Sequence, residues 1–284
     1  MKFGVPLGMA HPRMWRDIAS SADRLGFESV WLPEHLVFAT DVSAAVADGA
    51  YPYENAPNLS PATPLFDAPA YLSALAAVTS RIRLGTAVYL FGLRHPFVAA
   101  RAFATLDQIS GGRAIAGVGA GWYEAEWTAS GIDFRTRGRR LDEAIAIARR
   151  LWTEETVEHH GEFFDFPEVG FEPKPVQRPL PILAGGETPA ALRRAARCDG
   201  WIGMPHTLES VRPQLEALRE HRDGRDGFFE ITVHAYALSG PDEVAEWERL
   251  GVDRLIVRPW RRSREALDTI ADFAATFGIV QGAC

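Results

Sequence analysis

The sequence predicts a (β/α)8 barrel of the TIM type. Short apolar runs alternate with amphipathic stretches at helical spacing, and eight such pairs can be counted in the 284 residues. No break in composition separates a second domain, so residues 1–284 are predicted to form one barrel domain. The alternative is an open doubly wound sheet, but its glycine fingerprint would follow the first strand, where this chain has Pro6-Leu7-Gly8.

A long insertion follows the second predicted strand and precedes the second helix. Phe3–Pro6 and Ser29–Leu32 are short apolar runs typical of strands. Between them, residues 13–25 form one apolar helical face, and Gly26 follows as a C-cap. Residues 36–66 carry four prolines and no clear periodicity, which indicates either a functional or a disordered loop. A helix over residues 68–79 restores the alternation.

A parallel strand–helix–strand unit is predicted over residues 82–122. Ile82–Val88 and Ala114–Val118 are apolar strands. The helix between them begins at Arg94-His95-Pro96, since a proline in the first turn removes no hydrogen bond that the helix needs. Ser110-Gly111-Gly112 ends that helix, and the connection is expected to be right-handed.

The second half of the chain contains a smaller excursion before the fifth strand. An irregular connection over residues 123–136 leads to a strong helix over 137–152. Val157–His160 and Phe163–Phe166 flank Gly161, which indicates a hairpin outside the barrel, followed by a proline-rich connector over 167–181. The remaining predicted strands are Pro181–Ala184, Gly200–Gly203, Phe229–Ala235 and Arg254–Val257, and the remaining helices are 189–197, 207–221, 241–250 and 263–277.

Composition limits the classes of partner. The net charge is −7 and basic residues form only short pairs, which argues against a nucleic-acid partner. No apolar run approaches the ~20 residues that span a bilayer, and the first residues lack the apolar core of a signal peptide. Cys198 and Cys284 form no metal or redox pattern, so a reducing, cytoplasmic location is expected.

Two glycine-rich turns lie where barrel strands end, which is where barrel active sites lie. Gly117-Val118-Gly119-Ala120-Gly121 lacks the third glycine of a dinucleotide fingerprint. Two interpretations of these glycines stay open: they form a tight turn, or they let the backbone approach a flat cofactor closely. Gly185-Gly186-Glu187-Thr188-Pro189 joins a strand to a helix, with Thr188 as the natural N-cap. This turn is either an anion site or plain capping, and Glu187 would oppose an anion unless it points outward.

The histidines differ in what their positions indicate. Glu34-His35 follows a buried strand at the predicted mouth, where a histidine suits proton transfer, although a lone histidine is more often structural. His159 and His160 are adjacent on a strand and so point to opposite faces, which argues against a shared metal. No metal site is predicted, and the glycine-rich, aromatic mouth favours a bound organic cofactor.

At these motifs the chain resembles the luciferase-like monooxygenase superfamily, within it the branch of coenzyme F420-dependent oxidoreductases. Three blocks carry the resemblance: Arg94-His95-Pro96 followed by residues 104–113, the turn 117–122, and residues 181–196 with Asp199-Gly200-Trp201. The resemblance spans residues 3 to 275 approximately. It implies a barrel, usually dimeric, that holds a deazaflavin or flavin at its mouth and acts on a small organic substrate.

The resemblance also implies roles for individual residues. A cis peptide bond near Ala87-Val88 would support the ring together with Gly119, Ala120 and Gly121. Gly185, Gly186 and Thr188 match the phosphate-binding segment, and His35 matches a histidine that assists proton transfer near the ring in some F420 enzymes. The substrate pocket would be formed by residues 36–66 with Glu34, Trp122, His206 and Arg258.

Two departures from the family pattern bear on the reaction. A sugar-phosphate dehydrogenase branch carries a catalytic glutamate where this chain has Trp122, so that reaction is not expected. Flavin-using luciferases carry an arginine where this chain has Ala120, which favours F420 over FMN. The hypotheses left open are an F420-dependent oxidoreductase, an FMNH2-dependent monooxygenase and a non-catalytic cofactor carrier or sensor.

Overall fold

A computed structural model describes residues 1–49, 51 and 59–280. The barrel strands are β1 (Lys2–Pro6), β2 (Ser29–Leu32), β3 (Arg83–Thr86), β4 (Ala114–Val118), β7 (Ile182–Gly185), β8 (Gly200–Pro205), β9 (Glu230–His234) and β10 (Arg254–Ile256), while β5 (Thr156–His160) and β6 (Asp165–Gly170) form a separate antiparallel pair. The helices are α1 (Trp15–Leu25), α2 (Val42–Ala47), α3 (Ala68–Ala76), α4 (Pro96–Ser110), α5 (Glu124–Ala129), α6 (Arg137–Thr153), α7 (Pro189–Ala195), α8 (Arg212–Arg222), α9 (Pro241–Arg249) and α10 (Ala266–Thr276).

The predicted barrel fold is confirmed. Eight parallel strands close in the order β1-β10-β9-β8-β7-β4-β3-β2, and β5-β6 is the predicted hairpin before the fifth barrel strand. All neighbouring strand pairs in the barrel are parallel, which requires a crossover connection between each barrel strand and the next along the chain. No helix of the described residues is long and apolar enough to cross a membrane.

Several predicted boundaries were wrong. The strand predicted over 82–88 ends at Thr86, just before the cis peptide bond between Ala87 and Val88. The helix predicted over 207–221 begins only at Arg212, since the side chains of Thr207 and Ser210 cap each other's backbone N–H groups in a preceding turn.

The two segments predicted to be irregular each contain a short helix. The connection over 123–136 contains α5, and the insertion over 36–66 contains α2. Residues 50 and 52–58 of that insertion, like 281–284 at the carboxyl end, lie outside the described residues.

The middle of the barrel is filled by a dry cluster of large side chains. Its buried members are Trp31, Ile115, Leu183, Ile202 and Ile256. Glycines on neighbouring strands make room for the indole: a Cβ on Gly85 would lie 2.5 Å from Trp31, and one on Gly4 would lie 2.7 Å from it. This cluster closes the barrel as a packed core, so the open end lies above it at the carboxyl ends of the strands.

The amino-terminal end of the barrel is closed by an ion cluster around Arg254. The guanidinium is fully buried and binds Glu28 through Nε at 2.7 Å and Nη2 at 2.8 Å. Its Nη1 donates to Glu230 and, at 3.2 Å, to Thr232 Oγ1. The pKa of Glu230 is lowered despite burial, because Arg254 and Lys2 stabilise its charged form.

Candidate active site at the carboxyl ends of the barrel strands

Val88 connects three of the predicted cofactor-binding segments. The cis peptide bond expected near this residue is present between Ala87 and Val88. A Cβ on Gly119 would lie 2.3 Å from Val88 Cγ2, and one on Gly185 would lie 2.8 Å from Val88 Cγ1. The glycines at the ends of β4 and β7 are therefore required by the Val88 side chain, which the sequence pattern alone did not indicate.

The turn after β4 is fixed to the segment after β3. Tyr89 N donates to Gly117 O at 2.7 Å, and Gly119 N donates to Tyr89 O at 3.1 Å. Gly121 has a φ of +74°, and a Cβ there would lie 3.1 Å from Leu90 and from Trp127. Ala120 packs against the main core. This turn consequently has the tight, glycine-dependent form that was one of the two possibilities for this sequence.

His35 is paired with a buried carboxylate that sequence reasoning did not identify. Its Nδ1 lies 2.8 Å from Glu126 Oε2, and the Glu126 side chain is 0% exposed. Glu126 Oε1 also accepts hydrogen bonds from the backbone N–H groups of Leu36 and Val37. Such a carboxylate favours the tautomer with a proton on Nδ1 and leaves Nε2 to exchange protons. No local pattern links two residues 91 positions apart.

An aromatic wall surrounds His35 at the mouth. The His35 ring lies 4.7 Å from the Phe38 ring and 5.8 Å from the Trp122 indole, centroid to centroid. Tyr51 of the insertion meets Trp122 edge-on at 5.2 Å. Tyr123 lies 5.2 Å from Trp122, and its hydroxyl donates to Asp41 at 3.0 Å. The structure therefore brings His35, Trp122 and the insertion together, as the sequence predicted.

Glu34, the neighbour of His35 in the chain, forms an ion pair with Arg94. The Glu34 carboxylate accepts from Arg94 and, at 2.9 Å, from Leu90 N. Burial raises the pKa of Glu34, although Arg94 opposes that shift. The Arg94 guanidinium also lies 4.3 Å from the Tyr89 ring centroid. Glu34 thus supports the segment after β3, and its assignment to the substrate pocket stays a prediction.

The turn after β7 exposes backbone donors. The N–H groups of Gly186, Glu187 and Thr188 donate to no backbone carbonyl of the described residues. Gly186 has a φ of +107°, and Thr188 caps α7 by accepting from Ala191 N at 3.3 Å. Successive free N–H groups in such a turn form a concave anion-binding surface.

Glu187 is directed away from this surface. Its Oε1 accepts from Met204 N at 3.2 Å and lies 3.0 Å from His206 Nε2. The other ring nitrogen of His206 lies 3.0 Å from Ser210 Oγ. Because both of its ring nitrogens are engaged, His206 connects the turns after β7 and β8, and its predicted contact with substrate stays a prediction.

The opposite wall of the mouth holds His234, Tyr236 and Arg258. His234 Nδ1 donates to Gly203 O at 2.8 Å, and burial lowers the pKa of His234 to about 4, so the ring is neutral at neutral pH. Burial raises the pKa of Tyr236 to about 12, so its hydroxyl is protonated. The Arg258 guanidinium lies 5.3 Å from the Tyr236 ring centroid.

The buried His234 is expected to make stability depend on pH. The unfolded chain takes up this proton near the ordinary pKa of 6.5, whereas the folded protein resists until about 4. The free energy of unfolding is therefore expected to fall by about 3 kcal/mol as the pH falls through this window. His234→Asn, which keeps a donor for Gly203 O, should remove this contribution. Urea unfolding of wild type, His234→Asn and the control His221→Asn at several pH values would measure it. If the free energy of unfolding varied with pH in the same way for wild type and His234→Asn, the lowered pKa of His234 would be contradicted.

The chain is similar to a known protein family and to several individual proteins. The family model described as luciferase-like monooxygenase matches residues 3–278. An uncharacterised protein of Mycobacterium tuberculosis is 34% identical over 90% of this chain and 88% of its own length. An F420-dependent glucose-6-phosphate dehydrogenase of Kineococcus radiotolerans is 33% identical over 78% of this chain and 63% of its own. An FMNH2-dependent dimethylsulfone monooxygenase of Pseudomonas putida is 32% identical over 60% and 48% respectively.

Solved structures share the barrel along nearly the full chain. A monooxygenase from Streptomyces bottropensis superposes with a TM-score of 0.76 at 26% identity and covers 97% of this chain and 98% of its own. An F420-dependent secondary alcohol dehydrogenase, solved with an F420-acetone adduct, gives a TM-score of 0.75 at 18% identity and 99% coverage of both chains. At that lower identity the second likeness concerns the fold alone.

Proposed function

Because the chain belongs to the luciferase-like monooxygenase family, we propose that it is a coenzyme F420-dependent oxidoreductase acting on a small organic substrate. The proposed reaction is hydride transfer between deazaflavin C5 and that substrate. The observation that carries the proposal is the pair of His35 and buried Glu126 beside the aromatic wall at the mouth. A paired histidine suits the proton transfer that accompanies hydride transfer to or from a carbonyl or alcohol carbon.

The described residues fit such a cofactor. The free N–H groups of Gly186, Glu187 and Thr188 suit its phosphate, and Glu187 would not repel an anion because its carboxylate is held by Met204 and His206. We assign the phosphate to Gly185, Gly186 and Thr188, and the ring to a surface formed by Ala87, Val88, Gly119, Ala120 and Gly121. When bound, the deazaflavin supplies or accepts the hydride.

His35 performs the proton transfer in this proposal. The hydrogen bond from Nδ1 to Glu126 leaves Nε2 to take a proton from a hydroxyl, or to return it in the reverse direction. The Glu126 carboxylate stabilises the imidazolium that forms, and it holds the segment after β2 through Leu36 and Val37. Trp122 and Tyr51 shield the reacting atoms from water.

An FMNH2-dependent monooxygenase is the second candidate. The Pseudomonas putida relative is named as such an enzyme, and a water-excluding aromatic wall also suits a reduced flavin that reacts with oxygen. Ala120, which stands where flavin-using luciferases carry an arginine, favours F420 instead.

An anaerobic assay separates the candidates. The protein is mixed with oxidised or reduced F420 and a panel of alcohols, ketones and activated alkenes in the absence of oxygen, and the absorbance of oxidised F420 is followed. The proposal expects turnover with at least one compound. Turnover only with FMNH2 and accompanied by oxygen consumption would replace it with the monooxygenase. Binding of F420 without any turnover would favour a carrier or sensor.

The oligomeric state and the cellular location stay predictions. We propose a homodimer, in keeping with Val98 and Ile109 on α4, which are 57% and 54% exposed. A cytoplasmic location also stays a prediction.

A further inference from the structure

Strand β10 and the residue pair after it place two arginines on the same side of the barrel wall. The backbone ladder continues past the strand end, since Val257 N donates to Gly4 O at 2.8 Å and Arg258 N donates to Tyr236 O at 3.3 Å. Side chains therefore keep alternating: Arg254 and Ile256 point into the barrel, and Arg258 follows on the same side at the mouth.

The two arginines have opposite surroundings. Arg254 is bound by Glu28 and Glu230. Arg258 forms no ion pair with any described residue, and its buried Nε has no hydrogen-bond acceptor. Other arginines that are largely buried do have oxygen partners: Arg94 binds Glu34, and Arg194 binds Asp142 at 2.7 Å. A partly buried guanidinium whose Nε has no acceptor is unfavourable, so the arrangement points to an acceptor from outside the described protein atoms.

Among the residues that the structure describes, the immediate neighbours of Arg258 supply no negative charge. Tyr236, whose ring the guanidinium approaches, keeps its hydroxyl proton because burial raises its pKa to about 12. His234 is neutral and hydrogen-bonded to Gly203 O. An anion arriving at the mouth would therefore meet an uncompensated cation.

The barrel order places Arg258 within reach of a substrate at His35. Strand β10 is two strands from β2, which precedes His35, and four strands from β4, which precedes Trp122. In a closed barrel of eight strands, Arg258 thus faces the Trp122 wall across the mouth, with His35 on an intermediate side. A small molecule between these walls can present one group to His35 and another to Arg258.

We propose that Arg258 recognises a carboxylate of the substrate, so that the substrate class is an organic acid. This inference rests on the proposed function, because it assigns the substrate of that same site. A guanidinium matches the two oxygens of a carboxylate with paired N–H donors. A neutral analogue would leave the guanidinium unpaired, and the site would reject it for that reason.

Ligand-observed fluorine NMR tests the inference with a matched pair of probes, para-fluorobenzoate and para-fluorobenzamide. Wild type is expected to bind the acid at least about tenfold more tightly than the amide. Arg258→Met should reduce acid binding to that of the amide and leave amide binding unchanged, while Arg258→Lys should retain part of the preference. Arg261→Met changes an exposed arginine of the same loop and should behave as wild type.

Three outcomes would overturn the inference: equal acid binding by wild type and Arg258→Met, no preference of wild type for the acid, and displacement of the acid by F420. Thermal melting of each variant and its F420 binding, measured by tryptophan quenching, identify a misfolded variant. If Arg258→Met is misfolded, the acid preference retained by Arg258→Lys decides the test. Arg258-dependent acid binding in a protein that binds no F420 would reject the proposed function alone. F420 binding without acid preference would reject this inference alone.

Discussion

The variant His35→Gln is expected to lower kcat by about 10²–10⁴-fold for any substrate found in the anaerobic assay. The reason is that His35 Nε2 is the assigned proton carrier, and glutamine cannot take up a proton. The Kd for F420 should change little, because the cofactor phosphate is assigned to the turn after β7. Single-turnover kinetics and a parallel binding titration would separate the two effects.

Glu126→Gln extends this test to the positioning carboxylate. The amide oxygen can still accept from Leu36 and Val37, but the amide carries no negative charge, and its NH2 group would donate to His35 Nδ1 and so favour the tautomer that cannot accept a proton at Nε2. Glu126→Gln should therefore also lower kcat. His221→Gln on α8 serves as the control histidine. Unchanged turnover in both site variants would remove the dyad from the mechanism.

Arg254→Met is expected to reduce the free energy of unfolding by about 3–5 kcal/mol. The methionine fills part of the volume, but Glu28 and Glu230 lose their shared cation, and Glu230 is left as a buried carboxylate whose remaining ion pair is with Lys2. Urea unfolding followed by far-ultraviolet circular dichroism would measure the change. Arg16→Met, at an exposed position on α1, is the matched control. A loss no larger than that of the control would mean that the ion cluster contributes nothing net to stability.

Regular elements of this barrel were predictable because their signals are local. Alternating apolar periods, the proline of Arg94-His95-Pro96 and the capping Thr188 each encode an element within a few residues. Helix α4 therefore begins at Pro96 and ends at Ser110, where the sequence placed its limits. The cis bond between Ala87 and Val88 came from family resemblance, since nothing in those two side chains specifies it.

The interactions that build the site were less predictable because they join distant segments. Glu126 reaches His35 from α5, whose residues were expected to be irregular. It lies four positions after Trp122. Gly119 looked like clearance for a flat cofactor, but its missing side chain makes room for Val88. In both cases the partner lies on a different strand–helix unit.

Glu187 and Glu34 illustrate how charge at a predicted site is redirected by a remote partner. The sequence indicated that Glu187 would oppose a phosphate unless it pointed outward, and His206 and Met204 hold it away. Glu34, next to the proposed proton carrier, is instead bound by Arg94. Only the three-dimensional arrangement separates the carboxylate that assists His35 from the one that supports a loop.

A parallel titration with F420 and FMN tests the central claim most directly. Trp122 lies in the mouth beside His35, so a bound deazaflavin should quench intrinsic tryptophan fluorescence. We expect saturable quenching by F420 at micromolar concentrations and much weaker quenching by FMN. Tight FMN binding in preference to F420, or no binding of F420 at all, would contradict it.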